Sequence, residues 1–128
     1  MDAAELRTWC LSQKGASEEF PFGPETSVFK VGGKMFALSA LGRLPLEVSA
    51  KCEPDLADRL RAGYDAIRPG YHLNKRHWNT IRIDGSLPDQ LVRELIEDSY
   101  DLVASALPKA ERERIGWAPL IEEGPGRT

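Results

Sequence analysis

Two β-rich runs, Ser27-Val28-Phe29-Lys30-Val31 and Lys34-Met35-Phe36-Ala37-Leu38-Ser39, meet at Gly32-Gly33. A glycine pair reaches the positive φ angles of a two-residue hairpin turn without steric cost, so the two runs are predicted to pair antiparallel. A third run, Leu46-Glu47-Val48-Ser49-Ala50-Lys51-Cys52, alternates strictly. Leu46, Val48, Ala50 and Cys52 fall on one face of a strand and Glu47, Ser49 and Lys51 on the other. Thr80-Ile81-Arg82-Ile83 repeats the period of two and is closed by Asp84-Gly85. The segment from about Tyr71 to Ile83 is therefore expected to supply one or two strands, connected near Asn74-Lys75.

Three helices are predicted around these strands. Asp2 with Glu5 forms a capping box ahead of the stripe Leu6, Trp9 and Cys10, which Gly15 stops. Pro54 opens a second helix, in which Leu56 and Leu60 lie one turn apart before Gly63. Ser86-Leu87-Pro88-Asp89 opens the longest, whose apolar stripe of Leu91, Val92, Leu95, Ile96, Leu102, Val103, Ala106 and Leu107 runs to Pro108. At 1.5 Å per residue its length is roughly 30 Å, enough to lie across a sheet.

The order α-β-β-β-α-β-β-α describes an α+β two-layer sandwich, one antiparallel sheet of about five strands with the helices on one face. Lys30, Ser49, Lys51, Thr80 and Arg82 are expected to share the other, open face. The loop Glu18 to Pro24 holds Phe20 and Phe22, expected to cap an edge of the core. Residues 1–108 are read as a single domain and 109–128 as a charged C-terminal extension, partly disordered, with Trp117 as its anchor. A domain of this size buries about two-thirds of its unfolded surface and needs no staples. No apolar run approaches the roughly 18 residues of a membrane helix. The two cysteines and the absence of a leader-like start lead to the expectation of a reduced, cytoplasmic protein.

Charge is segregated along the chain. Residues 28–82 carry ten Lys and Arg against five Asp and Glu, while the segments on either side are acidic and the net charge is −3. A basic middle can form a positive face on an acidic molecule. Within it, Arg68 to Asn79 interleaves cations, aromatic rings and amides, which is the chemistry of a surface for phosphates and bases. The phosphate candidates are Lys30, Lys34, Lys51, Arg68, Lys75, Arg76 and Arg82. Asn74 and Asn79 are candidates for adenine edges, and Tyr71 and Trp78 for stacking. His72 and His77 are five residues apart, on opposite faces of a straight strand with no further ligand beside them, so no metal site is expected. His77 is instead a candidate pH-dependent donor to a phosphate or carboxylate.

Catalysis has one candidate nucleophile. Cys52 precedes a helix N-terminus, where a thiolate is favoured, but its alternation with Leu46, Val48 and Ala50 points it into the core. No paired carboxylates, phosphate loop or triad spacing is present. A protein without enzymatic activity or cofactor is expected. On the long helix, Ser99 suits a close approach to the sheet, and the Tyr100 hydroxyl is expected to reach a carbonyl near Pro69-Gly70 or in the Phe20 to Pro24 loop.

Five blocks in order, Glu19-Phe20-Pro21-Phe22-Gly23, Val31 to Leu38, Lys51-Cys52 with Pro54, Pro69 to Asn79, and Ser99-Tyr100-Asp101-Leu102-Val103, resemble the signature of the MmcQ/YjbR family of small bacterial proteins. The resemblance spans about residues 3 to 108. It implies an α+β fold related to secretion-chaperone and frataxin-like sandwiches, and a double-wing arrangement proposed to bind DNA. Lys30 and Lys34 would lie around one wing, and Lys75, Arg76 and His77 around the other. The resulting expectation is a small cytoplasmic protein that binds DNA weakly through its basic centre. A module that holds a protein partner on its open sheet face is the alternative.

Overall fold

The computed structural model describes residues 1–118. In chain order the elements are α1 (Ala3–Leu11), β1 (Ala16–Glu19), β2 (Ser27–Val31), β3 (Lys34–Ser39), β4 (Glu47–Lys51), α2 (Pro54–Gly63), β5 (Ile67–Pro69), β6 (Trp78–Arg82), α3 (Asp89–Ser105) and α4 (Lys109–Ile115). The strands form one antiparallel sheet in the order β1-β2-β3-β4-β6-β5. The architecture is the expected α+β sandwich with two more elements, β1 and α4.

The hairpin closes as its glycines dictate, with φ of 56° at Gly32 and 78° at Gly33. The pairing then slips. Phe29 lies opposite Ala37 and Lys30 opposite Met35, so Phe36 is the extra residue of a β-bulge. The bulge gives β3 two consecutive core residues, since Phe36 and Ala37 are both fully buried. Strict alternation, which would turn Phe36 to the face opposite Ala37, misassigns this strand.

The bulge also interrupts the ladder to β4, in which Ala37 pairs with Ala50 and Leu38 with Ser49. The next rung is supplied by a side chain. Ser99, fully buried on α3, accepts the Lys51 N–H at 2.8 Å and donates to the Phe36 carbonyl at 2.6 Å. The close approach expected of Ser99 is thus a hydroxyl standing between two strands, satisfying one buried donor and one buried acceptor.

Register assigns the faces. The rows Phe29–Ala37–Ala50–Asn79 and Val48–Ile81–Ile67 face the helices, and Val28–Leu38–Ser49–Thr80–Arg68 faces away. Lys30, Ser49, Lys51, Thr80 and Arg82 therefore do share one face. The core lies between the sheet and α1 and α3, with Leu6, Cys10, Phe29, Phe36, Val48, Ile81, Val92 and Ile96 at its centre. The capping box of α1 is present, with the Glu5 N–H donating to Asp2 and the Asp2 N–H to Glu5.

Three expectations need correction. The strand expected from Tyr71 is the earlier β5, and residues 70–77 are a loop, because Gly70 turns the chain so tightly that a Cβ there would meet the Trp78 carbonyl oxygen at 3.0 Å. Phe20 and Phe22 do not cap the core: they are 50% and 67% exposed, in the loop that joins the edge strand β1 to β2. The Tyr100 hydroxyl donates to the Lys14 carbonyl at 2.5 Å, because α3 passes beside the α1–β1 turn. Tyr100→Phe is expected to lower stability by about 1 kcal/mol, the net value of one such bond. Coincident thermal melts of the two proteins would contradict this.

The charged segment after Pro108 begins as helix α4, which Gly116 ends with φ 76°. Its Ile115 packs so closely that a Cβ at Gly15 would come within 2.7 Å of the Ile115 Cγ2. Trp117 anchors the segment as expected, donating its indole N–H to Asp101 at 3.0 Å. The disorder expected further on falls on residues 119–128, outside the described residues. No helix among the described residues is long and apolar enough to cross a membrane.

The outer surface of α3 is acidic. Burial raises the Glu97 and Asp98 carboxyl pKa values, and the neighbouring acids Asp101 and Glu94 raise both further. A carboxylate with a raised folded-state pKa destabilises the native state while charged and stops doing so as pH falls through that pKa. Asp98→Asn is accordingly expected to stabilise the protein by a few tenths of a kcal/mol near neutral pH. The gain should vanish in acid. Denaturation curves at both pH values check it, and a gain that persists in acid would contradict the electrostatic origin.

Candidate functional site

The loop 70–77 folds back over the open face of the sheet and is held from three directions. The Gly70 N–H donates to the Trp78 carbonyl at 2.8 Å, and the Tyr71 N–H to the Thr80 hydroxyl at 3.2 Å. The Lys75 ammonium donates to the Gly70 carbonyl at 3.2 Å, closing the loop on itself. From α2, the Arg61 guanidinium donates to Asn79 Oδ1 at 2.6 Å, to the Trp78 carbonyl at 3.1 Å and to the Lys75 carbonyl. Arg61 is only 19% exposed. It is the cation that shapes the loop, and nothing in its sequence position, next to Leu60 in the last turn of a short helix, distinguishes it from a solvated arginine.

His72 holds φ of 58°, a left-handed conformation that few non-glycine residues adopt. Its ring lies 4.0 Å from that of Tyr71, centroid to centroid, and both side chains are exposed. Backbone strain of this kind costs on the order of 1 kcal/mol and persists where surrounding contacts over-determine it. Here the loop's anchors hold it.

The candidate residues divide by environment. Trp78 and Asn79 are buried, 8% and 2% exposed, and cannot read or stack on a ligand base at the surface. Trp78 packs beneath the loop's own turn at Gly70, and the Asn79 side-chain oxygen Oδ1 is used by Arg61. Three of the cations are neutralised: Lys30 by Glu19 at 3.1 Å, Arg68 by Glu47 at 2.5 Å and Arg82 by Asp84 at 2.7 Å. Lys34, Lys51, Lys75 and Arg76 make no ion pair among the described residues, nor does Arg43, a cation the sequence reading passed over. Asn74 is exposed but its Oδ1 caps the Arg76 N–H at 3.0 Å, fixing the loop tip. His77 is half-buried and its carbonyl accepts the Cys52 N–H at 2.7 Å.

Between this loop and the loops at Phe22 and Arg43 runs a groove of about 360 Å³. Its floor is Leu38, Ser49 and Thr80, and its walls include Phe22, Tyr71, His72 and Leu73. Arg43 and the Glu47 of the Arg68 pair stand at its border. The sequence signal for this site was the alternation that put Ser49 and Thr80 on the open face. The contribution of Phe22 and Arg43 had none, because both lie on loops far away in the chain.

Cys52 is buried at 8% exposure, and burial, with Asp98 and Glu53 nearby, raises its thiol pKa. The other thiol, Cys10, is pushed up to about 12 by burial. Neither carries a thiolate at neutral pH. Among the described residues no group of three or more His, Cys, Asp or Glu side chains stands close enough to hold a metal ion.

The sequence model of the YjbR family matches residues 11–102. The chain is 40% identical over 96 residues to the uncharacterised protein YbdF of Escherichia coli O157:H7, an alignment covering 75% of this chain and 79% of that protein. It is 35% identical over 112 residues to the uncharacterised protein YjbR of Escherichia coli strain K12, covering 88% of this chain and 95% of YjbR. Among solved structures, protein DR2400 of Deinococcus radiodurans, described by its DUF419 domain, superposes with a TM-score of 0.85 at 41% identity, over 91% of this chain and 89% of that one. A Pseudomonas syringae protein superposes with a TM-score of 0.70 at 26% identity, over 80% and 99%.

Proposed function

We propose, from the premise that this chain belongs to the YjbR family, that it is a non-catalytic module that binds nucleic acid weakly with the 70–77 loop and the groove beside it. One observation carries the proposal. Arg43, a cation without an ion-pair partner among the described residues, lines the groove together with the exposed rings of Phe22, Tyr71 and His72, and the likewise unpaired Lys75 and Arg76 belong to the loop that supplies two of those rings. Cations attract a phosphate backbone and exposed flat rings offer bases a stacking surface. The ion pairs at Lys30, Arg68 and Arg82 restrict the phosphate contacts to few, in keeping with weak binding on a protein of net charge −3.

The test is fluorescence anisotropy of a labelled duplex and a labelled single strand at low salt, with Lys75→Ala/Arg76→Ala as the comparison. Binding is expected, and the double substitution should weaken it roughly tenfold if each cation meets one phosphate. Absence of binding for both probes would overturn the proposal. The apolar share of the same groove, where exposed Phe22 stands with Leu38 and Leu73, favours capture of a protein segment as the second reading.

A further inference from the structure

We infer that the open-face groove is a subsite for one unpaired base, so that the module prefers single strands to duplex. The inference rests on the nucleic-acid reading above and names the substrate class within it. Its first support is a hydrogen-bond count at the floor. The Ser49 and Thr80 hydroxyls lie 2.9 Å apart, and Thr80 also accepts the Tyr71 N–H. Two hydroxyl protons are available and one is engaged between the two oxygens, whichever of them donates. The other has no acceptor among the described residues, although the two side chains are 6% and 4% exposed. A buried donor facing a groove is satisfied by an acceptor that enters it.

The second support is the shape and charge of the walls. Phe22 and Tyr71 are 67% and 72% exposed, two large rings left in solvent at the mouth of one groove, with Leu73 and Leu38 beneath them. About 360 Å³ lies within the range of ligand pockets. A base is flat, stacks on such rings with either π-face, and carries acceptor atoms along its edge that reach a hydroxyl donor. Arg43 in the lining, with Lys75 and Arg76 on the loop that carries Tyr71 and His72, supplies positive charge to attract the phosphates of an entering nucleotide. Glu47, the acidic group of the lining, is neutralised by Arg68. A base in a duplex presents only its edge, with its faces covered by stacking, so this geometry takes unpaired strands.

The experiment compares labelled single-stranded and duplex oligonucleotides of the same sequence against the wild-type protein, Phe22→Ala and Ser49→Ala/Thr80→Val, at one low salt concentration. Removing both hydroxyls is necessary, because either alone retains a free proton. The expected result is tighter binding of the single strand and roughly tenfold weaker single-strand binding by Phe22→Ala, with duplex binding unchanged. Phe22 is exposed, so this variant keeps its fold, and thermal melts establish whether the double variant does. Single-strand binding untouched by either variant, or a preference for duplex, would overturn the subsite while leaving the loop's role standing. Failure of both probes to bind the wild-type protein overturns the functional reading itself.

Discussion

Arg61→Met is expected to destabilise the protein by about 3 kcal/mol and to loosen the 70–77 loop. Methionine keeps the apolar stem of arginine but none of its donors. Asn79 Oδ1 and the Lys75 carbonyl lose the guanidinium as their partner, and the Trp78 carbonyl is left with the Gly70 N–H alone. Hydrogen bonds to a charged donor contribute about 1.5–3 kcal/mol each, and stranding a buried acceptor costs its desolvation. Losses at one hub are not additive, so the total stays near the value of one strong bond and part of a second. The ion pair with Asp58 at 3.5 Å adds little, because Asp58 is 77% exposed. Urea denaturation reads the stability, and amide exchange at Gly70 and Trp78 reads the loop. An unchanged midpoint with unchanged exchange would show that the guanidinium is dispensable, and the loop would then need another support.

Ser99→Ala is expected to cost about 2–3 kcal/mol for the loss of a single oxygen atom. The alanine fills nearly the same space, so packing hardly changes. What is lost is the bridge between β3 and β4, leaving the Lys51 N–H and the Phe36 carbonyl without partners inside the protein. Each stranded group costs about 1–3 kcal/mol, reduced by whatever relaxation the bulge permits. The denaturation midpoint should fall without a change in slope, since the surface exposed on unfolding is the same. The Lys51 amide should exchange faster. A midpoint equal to that of the wild type would mean that the two strands close their own rung when the hydroxyl is absent.

Local chemistry made much of this fold legible before the structure. Gly32-Gly33, the Asp2–Glu5 box and the alternation from Leu46 to Cys52 each state one element in a few neighbouring residues, and each formed as read. The misreadings come from contacts between residues far apart in the chain. The bulge at Phe36 depends on Ser99, sixty-three positions away. The loop at 70–77 depends on Arg61, whose role is visible only when α2 has been placed beside β6. Strand β1, Ala-Ser-Glu-Glu, has no apolar period because it is a short edge strand with acidic side chains, a composition that protects a sheet edge from further pairing.

The candidate site was half legible for the same reason. The interleaved cations and rings of residues 68–79 identified the loop that borders the groove. Composition could not separate Trp78, which the fold consumes, from Tyr71, which it leaves in solvent, since both are large amphipathic rings in a polar context. Nor could it separate Arg68, spent on Glu47, from Arg76. Phe22 and Arg43 join the site through the arrangement of loops above the open face, and no local signal places them there.

The proposed interface is tested most directly by mapping where a ligand lands. A short single-stranded oligonucleotide titrated into isotope-labelled protein at low salt should shift the amide signals of Tyr71, His72, Lys75, Arg76 and Thr80, and those around Phe22 and Arg43. The acidic surface of α3, at Glu94, Glu97 and Asp98, should stay silent. Shifts confined to that pattern are the result predicted here. Shifts centred elsewhere, or none at concentrations where weak electrostatic binding saturates, would contradict the assignment of this face to nucleic acid and leave the protein-segment reading to be taken up in its place.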